Sequence, residues 1–271
     1  MVIDKIYPNP TVKQVIFQIT YPNLFYLENR IGALQEKLMR EFPDTNLIFR
    51  RGLLFTDIGP NQKIEIPSEE LEKNTTKKIW QFKSKNNTIL SITSNSLDIS
   101  SEFHKTYNLG EDNSKKFRYA LEYAVGAFLD VVKLPIINRI GLRYIDHCPL
   151  ITKDNTTLKE WYNSTFPLDR FKIEDATAMA FQTIVKKGEY NLRYAESLGQ
   201  IDGVDKLILD FDGFAVNIEN VSEYLTITDK LHEIISDAYK SVIKSPVYEY
   251  MENKQMIIQE EWNGSNRLSG G

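Results

Sequence analysis

Between Val12 and Tyr21 the chain alternates with a period of two: Val15, Phe17, Ile19 and Tyr21 fall on one side, Ile16, Gln18 and Thr20 on the other. Successive side chains of a strand point to opposite faces, so this pattern requires a sheet with one buried face and one that is only partly apolar. Pro22 and Asn23 end the run. The same alternation returns at Ile136–His147 (IINRIGLRYIDH), far along the chain. A chain carrying such strands needs amphipathic helices to cover the apolar side.

Those helices are legible. Leu27, Ile31, Leu34 and Leu38 recur at helical spacing within 24–42, with charged residues between them. Phe117, Ala120, Leu121, Ala124, Val125, Phe128 and Val132 form a wide stripe within 113–133, and Leu231, Ile234, Ile235, Ala238 and Val242 form another within 223–244, ending before Pro246. A short helix is expected over Thr156–Ser164. Further strands are expected at Asn46–Ile58, bent at Gly52, and at Lys77–Lys83, Asn87–Thr93, Leu97–Ser101, Ala178–Lys186, Glu189–Ser197 and Lys206–Ile218. Residues 59–76 read as an exposed connection. The expected class is α+β: an antiparallel sheet with amphipathic helices on one face.

The order strand, helix, meander, helix occurs twice, which points to two pseudo-repeated halves, 1–134 and 135–252, followed by a tail, 253–271. The best local match sets Leu90–Ile99 beside Leu209–Ile218. The alternative is that any two antiparallel strands look alike at this length. The final GSNRLSGG (Gly264–Gly271) reads as a flexible terminus.

Composition excludes several classes. With 26% charged and 11% aromatic residues among 271, the chain carries enough apolar surface to fold. Its single cysteine, Cys148, cannot form an intramolecular disulfide, and the opening MVIDKIYPNP lacks the basic and apolar regions of a secretory leader. No stretch approaches the roughly 18 apolar residues of a membrane span. A cytoplasmic setting is the expectation. The net charge of −4 disfavours broad nucleic-acid binding.

The run Arg139-Ile140-Gly141-Leu142-Arg143-Tyr144-Ile145-Asp146 resembles the arginine-isoleucine-glycine-leucine-arginine-tyrosine signature of a sporadically distributed, uncharacterised family of prokaryotic proteins of about this length. Val15–Ile19 with the following helix and Glu41-Phe42-Pro43, then Trp80-Gln81-Phe82, Leu207–Phe214 and Leu231-His232, resemble its other segments, so the resemblance covers nearly the whole chain. It implies no activity or cofactor for any residue here. The family's frequent company with mobile-element and phage-defence genes implies an accessory role in such a system, by analogy alone.

Arg139 and Arg143 lie four apart on one strand face, with Gly141 between them, and Gln18 holds the equivalent place on the first strand. Together they are a candidate site for an anionic ligand or nucleotide, because guanidinium forks grip phosphates and carboxylates. The alternative is cross-strand pairing with Asp or Glu. Asp210 and Asp212 also share a face, and read either as ligands of a divalent cation in a metal-dependent nuclease or as partners of Arg143 and Arg193.

His104, His147 and His232 show no zinc-ligand spacing, and Cys148 lies on the opposite strand face from His147, against a thiol nucleophile. No metal and no cofactor are expected. Most aromatic residues read as core. Trp161, Tyr162, Phe166 and Phe171 instead cluster in the polar stretch 152–175, where they read either as interface anchors or as a local cluster under the loop. No catalytic constellation stands out. The favoured expectation is a non-enzymatic protein-binding or regulatory component with a protein partner, a homo-oligomer being a further arrangement.

Overall fold

The computed structural model describes residues 5–51 and 76–253. Gly52, the connection 59–75 and Gly264–Gly271 lie outside them. The strands are β1 (Val12–Thr20), β2 (Asp44–Arg51), β3 (Thr76–Lys83), β4 (Ile89–Thr93), β5 (Ser96–Ser101), β6 (Ile137–Pro149), β7 (Ala180–Lys187), β8 (Tyr190–Ile201) and β9 (Val204–Ile218). The helices are α1 (Ile31–Leu38), α2 (Phe117–Val131), α3 (Asn155–Trp161), α4 (Tyr224–Val242) and α5 (Ser245–Glu252). The class is α+β. The strands form a nine-stranded antiparallel sheet in the order β2-β3-β4-β5-β1-β6-β9-β8-β7.

Register explains the two faces. Phe17 stands opposite Ile99 on one side and Leu142 on the other, and Tyr144 stands opposite Phe211, which stands opposite Tyr194. These residues share a face because directly opposed residues of antiparallel strands point the same way. The described helices pack there. Phe128 of α2 lies against Tyr21 with ring centroids 5.5 Å apart. In α4, Ile235 and Leu231 sit over Gly213, where an added Cβ would come 3.3 Å from Ile235. Burial of each such side chain stabilises the fold by about 1.5–3 kcal/mol. Among the described residues, no helix is long and apolar enough to cross a membrane.

Two helix boundaries differ from expectation. Residues 24–42 yield only a 3-10 turn at Leu27–Arg30 and the eight-residue α1. Pro246 does not merely end the long helix: it sits in the first turn of α5, where its missing N–H costs nothing. The β8–β9 hairpin turns on Asp202 and Gly203, both at positive φ (51° and 78°). This is the Asp-Gly pair favoured in two-residue hairpin turns, and it lengthens both strands beyond the expected limits.

The match of Leu90–Ile99 with Leu209–Ile218 does not hold in three dimensions. The first segment spans the β4–β5 hairpin, and the second is uninterrupted β9. In the first, Thr93 Oγ1 accepts from the N–H groups of Asn95 and Ser96 at 3.3 and 3.0 Å, which closes a turn. The shared apolar spacing reflects period-two alternation alone.

Candidate functional site: the open sheet face

On the face opposite the helices, register brings together Gln18, Asp98, Arg139, Arg143, Arg193, Asp210 and Asp212. Gln18 stands opposite Asp98 and Gly141, Arg143 opposite Asp212, and Asp212 opposite Arg193. Arg139 Nη2 donates to both carboxylate oxygens of Asp212 at 2.8 and 2.9 Å, and its Nη1 donates to Gln18 Oε1 at 3.2 Å. Its guanidinium carbon lies 4.9 Å from the centre of the Phe214 ring. Arg143 grips Asp210 with Nε and Nη2 at 2.7 and 2.8 Å. Arg193 donates to Asp210 at 2.5 Å and to Gln182 at 3.1 Å, and approaches Asp212 at 3.9 Å. Gln18 donates to Asp98, which also accepts from Ser96 Oγ at 3.0 Å.

The face is therefore a charge-balanced lattice. Its charged side chains are half-buried, from 14% exposed for Asp210 to 39% for Arg143. The hydrogen bonds that Arg143 donates to Asp210 push its pKa further up, locking its charge. The sequence reading placed Arg139, Arg143 and Gln18 together, and the structure does so too, with the aspartates as their partners. A cation between Asp210 and Asp212 does not fit this chemistry, since each carboxylate is already held by guanidinium groups that would repel it. Among the described residues no group of three His, Cys, Asp or Glu is arranged to hold a metal. Asp98 escaped the sequence reading, because nothing local reveals that β5 would pair with β1.

The loop aromatics behave otherwise. Tyr162 is buried, its hydroxyl donating to the Pro149 carbonyl at 2.5 Å. Phe166 is buried, Trp161 is half-buried against the core, and Phe171 is 58% exposed. Trp161 and Phe171 keep exposed surface, while Tyr162 and Phe166 belong to a local cluster, one of the two readings of this stretch. The cluster is organised by buried Glu196, which accepts from Ser164 Oγ at 3.1 Å, the Thr165 amide at 2.6 Å, the Thr165 hydroxyl and Tyr194 OH at 2.8 Å. Phe25 is 91% exposed in the loop leaving β1.

Other titratable groups are structural. Cys148 is buried, which drives its thiol pKa up and leaves no nucleophile. His104 is buried and its pKa falls to about 4, chiefly by desolvation; its Nδ1 lies 2.8 Å from Ser101 Oγ. His232 is buried and stacked on Tyr107 at 4.1 Å, and desolvation lowers its pKa. His147 faces the open side, half-buried and separated from Cys148 by the sheet. The chain matches no family model, no curated protein and no solved structure against which it was compared.

Proposed function

We propose that the chain is a non-enzymatic binding protein and that the open sheet face, centred on β1, β6 and β9, is where another protein docks. The observation that carries this reading is the immobilised Arg–Asp lattice. A solvated sheet face has no need to hold arginines in two-pronged contacts, stack one on an aromatic ring and reserve a glycine beneath it. To the extent that solvent reaches them, such ion pairs add little to stability, typically about 0–1 kcal/mol. Fixing these side chains in advance lowers the entropy lost on docking, and arginine is enriched where proteins bind one another.

The partner that fits is a folded surface carrying both signs of charge around apolar side chains, which Ile16, Ile145 and Phe214 would meet. The β6 signature's resemblance supports an accessory role in a defence or mobile-element-borne system. A sensor of a small anion fits less well, because Arg139, Arg143 and Arg193 each already hold a carboxylate.

The test is affinity capture from the source cells with wild-type protein, an Arg143→Ala/Arg193→Ala variant and an Arg40→Ala control on the helix side. A protein retained by wild type and control but lost by the double variant supports the reading. Equal retention by all three, or none by any, overturns it.

A further inference from the structure

Among the described residues the sheet ends at β7, which pairs there with β8 alone. Alternate residues of such an edge strand direct unpaired N–H and C=O groups outward. Edge strands are usually blunted by charge or proline along their length. Here Ala180–Lys187 (AFQTIVKK) has no proline, its lysines stand at one end, and its middle presents Ile184 at 59% and Val185 at 37% exposure.

We propose that β7 is a self-association edge at which a second copy of this chain pairs antiparallel about Ile184. Register leads to this occupant. Phe181, Thr183, Val185 and Lys187 stand opposite Glu196, Tyr194, Leu192 and Tyr190 on the helix side, so Gln182, Ile184 and Lys186 belong to the open side. A twofold axis perpendicular to the sheet keeps faces matched only if the strand is centred on a residue. Centred on Ile184, the axis sets Ile184 against its twin, Val185 against Thr183, Lys186 against Gln182 and Lys187 against Phe181.

No like charges meet in that register. Each Lys187 stem lies along a phenyl ring with its ammonium free to engage the ring face. A parallel in-register approach instead stacks Lys186 and Lys187 on themselves, which destabilises it. The lysine pair thus selects the antiparallel arrangement. An eight-residue edge is a small interface, so the dissociation constant is on the order of micromolar. The axis also turns both Arg–Asp lattices toward the same side of one continuous sheet, doubling the open face without covering it. The proposal stands whether or not that face binds a partner.

The test uses the full chain by sedimentation velocity at concentrations up to about 100 µM, with two variants. Ile184→Lys places two ammonium groups across the axis at an exposed position and is expected to sediment as a monomer with an unchanged circular dichroism spectrum. Ile184→Cys places two thiols opposite each other at the roughly 4.5–5.5 Å Cα spacing of opposed residues, within disulfide range. It is expected to crosslink on mild oxidation, whereas Val185→Cys, facing Thr183, is not. Buried Cys148 contributes no background. A monomeric wild type overturns the proposal, as does a dimer that survives Ile184→Lys or leaves Ile184→Cys uncrosslinked.

Discussion

The guanidinium of Arg139 lies across Gly141: a Cβ built on that glycine would sit 2.7 Å from Arg139 Cζ and 2.8 Å from its Nη2. The glycine serves as a niche, since its absent side chain lets Arg139 run along its own strand to reach Asp212 and Phe214. The spacing of Arg139, Gly141 and Arg143 thereby acquires a mechanical cause.

Gly141→Ala is expected to expel the Arg139 guanidinium and destabilise the protein by about 1–3 kcal/mol, as overpacking does. Combining it with Arg139→Ala removes the clash, so the double variant should unfold close to Arg139→Ala alone. Urea unfolding of the four proteins measures the coupling, and additive losses would show that the niche is not what the glycine supplies.

Asp146 is buried beneath Thr11, whose hydroxyl donates to it at 2.8 Å, and desolvation pushes its carboxyl up to about 6 from 3.8. The folded chain holds this proton more tightly than the unfolded one. Its stabilising contribution is therefore full below about pH 4 and lost as pH rises through about 6. Asp146→Asn keeps an acceptor for Thr11 without the charge. Relative to wild type, it should gain about 3 kcal/mol between pH 4 and pH 7. Chemical denaturation across that range reads the difference, and a constant offset would contradict the assignment.

Glu196 gathers donors from Ser164, Thr165 and Tyr194 inside the protein. Its replacement by Ala leaves buried donors unpaired and should cost about 1–3 kcal/mol or more. Hydrogen exchange should accelerate in 162–168 before it does in β8. Unchanged exchange there would mean that the loop is held by its aromatics alone.

Cys148 is inaccessible and its thiol is held protonated by burial. A thiol-specific reagent should leave the native protein unlabelled at neutral pH and label one thiol per chain in denaturant. Rapid native labelling would contradict its placement on the helix side of β6.

How far the sequence revealed this fold differs from element to element. The faces of β1 and β6 followed from alternation because one side of each strand packs under helices, and the pairing of Arg143 with Asp210 stood among the alternatives once both were placed opposite the apolar side. Asp98 was invisible, since its role depends on β5 lying beside β1, a long-range choice that no local pattern records. The aromatics at 161–171 allowed two readings because a polar loop can either present such side chains or enclose its own small core around Glu196. The Asp202-Gly203 turn and the helix-starting Pro246 were readable signals whose backbone preferences mark both features.

The proposed docking of a partner on the open face can be measured directly. Its most direct measurement is titration of a captured partner against wild type, Arg139→Ala, Arg143→Ala, Arg193→Ala and the control Arg40→Ala by calorimetry. The expected result is a loss of about tenfold or more in affinity for at least two of the open-face variants, about 1.4 kcal/mol each, with the control binding as wild type. Wild-type affinity in all three open-face variants would place the partner elsewhere and contradict the claim.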